Sequence, residues 1–488
     1  MAADAALPMS YTMTVLAAPR LPYRLLARCI AIGVAVYVLF SFAAFVAVGS
    51  PLHAVLIGAF GLIPIAIYVS LRWPVYFPFA LYAVLVPVEA LLRTGGNSGA
   101  TLTKFASFAV GLAFIARIVI ARRALVPPRP WFAWAAFVFF ALASAVWSVY
   151  EGQTLSTVTI VLQLFSLYTI SAIYPMTPVD ALRLRRVIEA AGVLVAGYGF
   201  YAYFTGQRLN GGARLSLSEG NLQIDPNHYG AFFIIPMALL AARYLTDRRR
   251  IVRYASAAAF AFCAINVFFT GSRGVFFGVA CTFVYLAIRT RNVRATAAMS
   301  ALFLGISFAV PNTWQRFADP TQGGASGRTD IWTVGLHAFP HYWLGGSGFA
   351  TYDYVYSLFL LQSYQRQFAG WDRPSHSLIV GTSVELGIIG LGLVLLAWFL
   401  SLRQTWNVRR DHPLAPIAYG AEAACAGLFI TALTLDMLWF KYLWLAFMVA
   451  AMTSNAIAPR NLWAPRLRLP VRPLPRAPAV VRANSARF

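Results

Sequence analysis

Long apolar runs alternate with short polar segments along most of the chain. A helix needs roughly 20 residues to cross the ~30 Å hydrocarbon core of a bilayer, so each run near that length predicts a membrane-spanning helix. Fourteen windows meet or approach this length, at 25–48, 52–71, 74–92, 105–121, 131–149, 154–173, 187–205, 228–245, 254–270, 274–289, 295–310, 377–401, 414–434 and 437–457. Several windows are short, so the pattern predicts an all-α polytopic membrane protein with about 12 (12–14) transmembrane helices.

Two polar segments on one side of the predicted membrane are much longer than the other connections, at 206–227 and 311–375. The second contains two stretches with one apolar and one polar side, at 328–339 and 352–368, which predict helices on or near the membrane surface. Loops of this length commonly carry function, so we expect the chemistry in the second segment.

The same pattern divides the chain into five parts. They are an N-terminal cytoplasmic segment at 1–24, a helix bundle at 25–310, a large outer loop at 311–376 that carries catalysis, C-terminal spans at 377–457, and a basic tail at 458–488. The tail repeats Pro and Arg without apolar periodicity, which predicts a disordered cytoplasmic arm able to touch anionic lipid head groups.

Composition agrees with the membrane class, since 60% of the 488 residues are hydrophobic and only 11% are charged. The formal net charge is +23, which in a soluble protein would suggest a nucleic-acid partner. Here the arginines stand in short clusters between apolar runs, as topology signals do. Counting spans places every cluster on the side of the N-terminus, so both termini are predicted to be cytoplasmic and no nucleic-acid partner is expected.

His376 opens the apolar run at 377–401 and follows Pro374, which tends to end a preceding helix. The positive end of a helix dipole disfavours protonation of an imidazole there, and a neutral imidazole is what a general base requires. The alternative interpretation is a polar residue that merely sits at the water interface.

Arginines near the outer side are candidates for binding an anion. Arg273 lies between two apolar windows beside glycines, and an arginine at membrane depth usually pairs with an anion or lines a wet cavity. Arg328 follows a glycine-rich stretch and opens a helical pattern, as at anion sites on helix starts. Arg208 and Arg214 are weaker candidates. Snorkelling of Arg273 to the interface is the alternative.

Other segments point away from common chemistries. The 16 acidic residues include no closely spaced pair, so a dedicated divalent-metal site is not expected. There is no phosphate-binding GxxxxGK[ST] loop. Asp225, Pro226 and Asn227 are interpreted as the N-cap of the span that begins at His228.

Several segments together resemble a known family. "HSLIVGTSVELGIIG" (376–390) fits a histidine, then Ser or Asn, nine residues, then Gly-x-x-Gly, which is similar to the signature of bacterial O-antigen ligases. Other segments resemble the family's shared motifs in the same order, namely "DPNHYG" (225–230), "SRGVFFG" (272–278), "GRTDIWTVGLHAF" (327–339) and "WLGGSGF" (343–349). The superfamily also contains O-antigen polymerases and protein O-oligosaccharyltransferases. The resemblance covers roughly residues 200–400.

The resemblance implies a metal-independent, inverting glycosyltransferase without a cofactor. It would move an O-antigen glycan from undecaprenyl diphosphate to a sugar of lipid A-core, at the periplasmic face of the inner membrane. The family's essential histidine falls on His376, and its important arginines fall on Arg273 and Arg328, with Arg214 as the candidate for a third. The motif residues expected to support this site are Gly387, Gly390, Asp225 and Asn227.

Three alternatives remain open at this level. An O-antigen polymerase would use the same donor with a second lipid-linked glycan as acceptor, and a protein O-oligosaccharyltransferase would need room for a peptide. A lipid flippase or transporter would carry charges in the middle of its spans, where this chain has mainly Glu89, Glu385 and Glu422.

Overall fold

A computed structural model of the chain describes residues 39, 62–92, 101–209, 214–219, 222–310, 314, 328–363 and 370–459. Most of the predicted first span at 25–48 and the whole predicted basic arm at 460–488 lie outside these ranges. The predicted span at 52–71 is described only from residue 62 onward.

The secondary structure of the described residues is almost entirely helical. In chain order the α-helices are α1 (Ile63–Arg72), α2 (Phe79–Leu85), α3 (Leu102–Ala121), α4 (Arg129–Ala143), α5 (Glu151–Ile173), α6 (Pro178–Phe204), α7 (Pro226–Phe232), α8 (Ile234–Thr246), α9 (Arg250–Thr270), α10 (Arg273–Thr290), α11 (Val293–Ala309), α12 (Arg328–Tyr342), α13 (Tyr352–Phe359), α14 (Leu378–Arg403), α15 (Ala415–Ala432) and α16 (Lys441–Ile457). Short 3₁₀ helices follow three of them, at Val86–Leu92, Ser144–Trp147 and Leu360–Gln362.

Four two-residue strands occupy the first long polar segment, where no strand was predicted. They are β1 (Arg208–Leu209), β2 (Arg214–Leu215), β3 (Ser218–Glu219) and β4 (Leu222–Gln223), paired as β1–β2 and β3–β4 in two antiparallel ladders. These small hairpins fold the segment back over the end of the bundle just before α7.

The predicted fold class is confirmed, because the chain is an all-α polytopic membrane protein. Nine helices in the described part are long and apolar enough to cross a membrane: α3, α4 with its 3₁₀ extension, α5, α6, α7 with α8, α9, α10, α14 and α15. Shorter apolar helices lie at Ile63–Arg72, Phe79–Leu92 and Val293–Ala309. The total of about 12 spans stays a prediction.

The helix α6 shows the largest difference from its predicted window. The sequence predicted a span at 187–205 preceded by an arginine cluster, whereas α6 already begins at Pro178 and therefore contains that cluster. Thr177 caps α6 through its side chain, which accepts the backbone N–H of Asp180 at 3.1 Å. Within α6, Glu189 forms an ion pair with Arg185 and a second with Arg243 of α8, which allows these charges to lie inside the bundle.

Aromatic side chains fill the centre of the bundle. Trp134 of α4 contacts Phe447 of α16 with ring centroids 4.7 Å apart, and Trp398 of α14 packs against both. The buried indoles keep their hydrogen bonds, since Trp134 donates to the Ser401 hydroxyl and Trp398 to the Cys425 carbonyl. The core therefore holds α4, α14, α15 and α16 in fixed positions.

Helices are present at both predicted places in the second long segment, as α12 and α13, but α13 ends at Phe359 instead of extending to 368, and residues 364–368 lie outside the described ranges. Their apolar faces meet in a separate cluster that includes Val334, Val355 and Tyr356, together with Val384 from the first turns of α14. Because this cluster is buried, α12 and α13 are attached to the start of α14.

Candidate functional site

Asp436 holds the loop that precedes α14. Its carboxylate lies between α15 and α16, and accepts the backbone N–H of His376 at 2.6 Å and that of Ser377 at 3.2 Å. The Ser375 hydroxyl donates to the same carboxylate at 2.5 Å. A Cβ at residue 381 would stand 2.4 Å from the Ser375 Oγ, so Gly381 leaves the room in which this contact forms. The carboxylate thus fixes three consecutive residues around the histidine.

His376 has a left-handed backbone conformation, with φ at +47°. This region costs a residue other than glycine on the order of 1–3 kcal/mol and persists only where surrounding contacts enforce it. The Asp436 contacts supply that enforcement from one side. From another side, Trp332 of α12 donates its indole N–H to the Ser375 carbonyl at 2.9 Å. Strain held by several independent contacts is typical of functional sites.

The half-helix behind His376 ends at a break. A new helix start after Pro374 was predicted, and in the structure Ser377 caps α14 there; Gly387 interrupts the helix with φ 62° and ψ −165°. This conformation is essentially restricted to glycine, and a Cβ at residue 387 would lie 2.2 Å from the Leu344 carbonyl oxygen. At residue 390 a Cβ would overlap with the Cβ of Leu386, 2.1 Å away, so only a glycine fits there without a shift of its neighbours.

The segment "WLGGSGF" satisfies the backbone groups that this break releases. The N–H of Ser347 donates to the Val384 carbonyl at 3.0 Å, and the N–H of Gly348 donates to the Glu385 carbonyl at 2.9 Å. The N–H of Ile388 donates back to the Trp343 carbonyl at 2.8 Å. Two motifs far apart in the sequence therefore form one backbone unit that carries His376 on a short, rigid helix.

Arg328 begins α12, one turn before Trp332, and so lies on the helix face that contacts the histidine loop. Its guanidinium is largely buried and makes no hydrogen bond or ion pair to any residue in the described ranges. Arg273, Asp225 and Asp436 all interact with it electrostatically. The structure therefore brings Arg273, at the start of α10, and Arg328 into the same electrostatic environment.

Asp225, Asn227 and Arg214 form a network beside the turn that carries Arg273. Asp225 caps α7 as predicted, since its carboxylate accepts the Asn227 N–H at 2.6 Å. The Asn227 side-chain oxygen accepts from Nη2 of Arg214 at 3.1 Å. Nε of Arg214 donates to the carbonyl of Thr270, the last residue of α9, at 2.8 Å. Arg214 thus connects strand β2 to the turn between α9 and α10.

His228 is a second histidine at the site, and the sequence interpretation gave it no role. Its ring stacks on Phe440 with centroids 3.6 Å apart, and its Nδ1 lies 2.9 Å from the Tyr442 hydroxyl. His376, Asp225 and Arg328 all interact with it electrostatically. It closes the side of the site formed by α7 and the start of α16.

The surroundings of His376 favour its neutral form. Burial lowers the pKa of the imidazole below its ordinary value of 6.5, and the positive charges of Arg328 and Arg373 lower the pKa further. The carboxylates of Asp436 and Asp225 raise the pKa of the imidazole, but burial has the larger effect and the net shift is downward. Burial also lowers the pKa of the Arg328 guanidinium, although arginine stays charged at neutral pH.

The imidazole of His376 is half-buried and has no hydrogen-bond partner within the part of the chain that the structure describes. A neutral imidazole in this state can accept a proton from an incoming hydroxyl, and the nearby guanidiniums can neutralise an anion. In the same described ranges, no three His, Cys, Asp or Glu side chains are arranged to hold a metal ion.

Sequence reasoning missed Asp436 for an identifiable reason. The residue stands in the short gap between two predicted spans, 414–434 and 437–457, and so was not among the candidate site residues. Counting spans places that gap on the same side as the segment at 311–375, and this signal was sufficient to include it. Nothing in the sequence pattern alone connects Trp332 with the histidine loop.

The chain is thus a polytopic helical membrane protein in which a histidine precedes a short, broken helix. Arginines stand at the starts of two further helices, α10 and α12. Residues 258–395 match the family model described as O-antigen ligase. The matched range includes Arg273, Arg328, His376, Gly387 and Gly390. A comparison with curated proteins gave no significant match.

Proposed function

We propose that this protein is an O-antigen ligase that moves a glycan from undecaprenyl diphosphate to a sugar of lipid A-core. The match of residues 258–395 to the O-antigen ligase family model supports ligase-type or polymerase-type activity in general. The observation that carries the proposal is the site itself, where His376 has a strained backbone conformation and interacts electrostatically with Arg328, which in turn interacts with Arg273. Transfer takes place at the periplasmic face of the inner membrane, where no nucleotide sugars are available and the donor must arrive attached to a lipid.

The arginines act on the donor. Diphosphate is a good leaving group, so its departing oxygen needs charge neutralisation rather than protonation. Arg273 and Arg328 bind the diphosphate with the planar guanidinium fork and stabilise the negative charge that grows as the sugar–oxygen bond breaks. Arg214 supports them by holding the turn before Arg273 through its bond to the Thr270 carbonyl.

The histidine acts on the acceptor. A sugar hydroxyl has a high pKa, and a neutral imidazole within hydrogen-bond distance removes its proton as the new bond forms, an effect of roughly 10²–10⁴ in rate. The hydroxyl attacks the anomeric carbon from the side opposite the diphosphate. The configuration of the sugar is inverted in one step, and no covalent sugar–enzyme intermediate forms. The proton passes to His376, and the electron pair of the broken bond leaves with the diphosphate.

The acceptor distinguishes the proposed ligase from a polymerase. Purified protein in proteoliposomes is supplied with lipid-linked O-antigen as donor and with lipid A-core as acceptor. We expect glycan attached to lipid A-core. If the only product is a longer lipid-linked glycan, the protein is a polymerase and the ligase proposal is wrong.

A further inference from the structure

Two neighbouring cavities lie near the loop that carries His376, and neither His376 nor the arginines Arg273 and Arg328 line them. The first, of about 220 Å³, is lined by residues that include Pro374, Ser375, Asp436 and Glu385. The second, of about 430 Å³, is lined by residues that include His228, Lys104 and Tyr442. Both are lined by Ile160 and Trp439, so the two cavities are neighbours at these side chains, and together they are called the groove.

The groove comes close to the histidine from its backbone side. Pro374 and Ser375 directly precede His376, and Asp436 accepts its backbone N–H. His228, which interacts electrostatically with His376, lines the second cavity. A molecule in the groove therefore lies beside the backbone of the loop that carries the proposed base.

Three polar side chains that line the groove have no hydrogen-bond partner in the described part of the chain. They are the carboxamide of Gln153, the hydroxyl of Thr157 and the indole N–H of Trp439. Gln153, Thr157 and Ile160 stand at positions i, i+4 and i+7 of α5 and so share one helix face. Buried indoles in the bundle, such as those of Trp134, Trp398 and Trp444, each donate to a protein acceptor. Gln153, Thr157 and Trp439 are half-buried instead, so their donors and acceptors are open to a polar ligand in the cavity.

The acidic lining of the first cavity disfavours a diphosphate and an isoprenoid chain there. Asp353, Glu385 and Asp436 line it, whereas no Lys or Arg does. Carboxylates repel a diphosphate at close range. They would also lose hydration if covered by a hydrocarbon chain, which is costly. A hydroxyl-rich ring fits instead, because carboxylates and carboxamides accept hydroxyl protons and an indole offers a flat apolar face with one donor.

We propose that this groove binds the acceptor glycan, with the uncharged sugar that carries the attacking hydroxyl packed against Trp439. The inference rests on the proposed function and deepens it, because it separates the acceptor site from the arginines that bind the donor diphosphate. Trp439 and Gln153 are binding residues in this account, and His376 remains the base.

The test measures binding of soluble glycans without donor or catalysis. Isothermal titration calorimetry is performed on the purified full chain in detergent, with delipidated core oligosaccharide and, separately, a soluble O-antigen repeat-unit oligosaccharide. We expect the core oligosaccharide to bind. Trp439→Ala should weaken binding on the order of tenfold and Gln153→Ala about 2–10-fold, as expected for a lost stacking contact and a lost hydrogen bond.

Matched variants exclude a folding artefact. Trp406 lies beyond the opposite end of α14, and Trp406→Ala should bind as the wild type does. Trp439→Phe keeps an aromatic face and loses only the donor, so it should bind better than Trp439→Ala. Arg328→Ala should retain glycan binding. Gln153→Ala keeps the test decisive should Trp439→Ala fail to fold.

The outcomes separate this inference from the function on which it rests. Binding of the repeat-unit oligosaccharide alone, weakened by Trp439→Ala, would keep the groove as an acceptor site and make the protein a polymerase. Binding of neither glycan would overturn the groove proposal. So would binding that both Trp439→Ala and Gln153→Ala leave at the wild-type affinity.

Discussion

At the scale of single residues, the proposed role of His376 as general base depends on opposing charges around its imidazole. Asp436 raises the pKa of His376, while burial and Arg328 lower it. The acid limb of the pH dependence of kcat/KM reports the protonation of a general base in the free enzyme. Variants that remove one charge at a time should therefore move this limb in opposite directions.

We predict that Asp436→Asn shifts the acid limb to lower pH and Arg328→Ala shifts it to higher pH. Loss of the Asp436 carboxylate removes a group that stabilises the imidazolium, so the pKa of His376 falls further. Loss of the Arg328 charge has the reverse effect. Rates measured from pH 5 to 9 in proteoliposomes test this, and a shared shift or none in both variants would contradict the assignment of His376 as base.

The guanidinium fork of Arg328 leads to a second prediction. Arg328→Ala should lower kcat/KM about 10²–10³-fold, as expected for loss of a preorganised charge partner, and Arg328→Lys should recover only part of the loss. Arg208 is a suitable control, because its exposed side chain stacks on Tyr203 instead. Arg208→Ala should have wild-type kinetics. Wild-type kinetics in both Arg328 variants would show that this side chain does not bind the diphosphate.

Sequence reasoning identified residues at this scale only where a motif or a helix start marked them. His376, Arg273 and Arg328 stand at or beside helix starts, where their position has a physical meaning. Asp436 joins the site from the α15–α16 turn, Trp332 from α12 and His228 from α7. They do so through contacts that no local spacing encodes. Whether these side chains perform the proposed roles is a question for the variants.

At the scale of elements, the break in α14 sets the direction of the helix start that carries His376. The apolar run at 377–401 predicted one continuous span, and the end points agree with α14 to within two residues. The interruption at Gly387 was not predicted, because a glycine inside an apolar run is also compatible with a continuous helix. Only the close approach of the Leu344 carbonyl shows why a side chain is excluded there.

We predict that Gly387→Ala destabilises the protein by roughly 2–5 kcal/mol, since it adds backbone strain and an overlap with the 344–345 backbone. Gly392 of the same helix is the matched control, because a Cβ there meets nothing within 4 Å. Gly392→Ala should be neutral or slightly stabilising. Thermal unfolding in detergent measures both, and equal melting temperatures for the two variants would contradict the interpretation of the break.

At the scale of the whole molecule, apolar run length predicted most of the helices within a few residues. The largest difference lies in α6, where charged residues pair across helices and so continue the helix beyond the apolar window. Run length could not predict that α12, α13 and the "WLGGSGF" segment assemble on the start of α14. That assembly depends on contacts between segments some 30–50 residues apart, such as Trp332 with Ser375 and Ser347 with Val384.

In the proposed mechanism one histidine acts as base in glycan transfer, and arginines take the role that a bound cation has in metal-dependent transferases. A guanidinium can neutralise a leaving diphosphate without a coordination shell. We therefore expect transfer to need His376 and to survive removal of divalent metals.

The most direct measurement is glycan transfer to lipid A-core in proteoliposomes containing EDTA, with wild-type protein, His376→Ala and His341→Ala. His341 is an exposed histidine of α12 and serves as the matched control. The wild type and His341→Ala should transfer glycan at equal rates, and neither EDTA nor added Mg²⁺ should change these rates. The transfer rate of His376→Ala should be lower by roughly 10²–10⁴-fold. Rapid transfer by folded His376→Ala, or activity that disappears with EDTA and returns with Mg²⁺, would contradict the account.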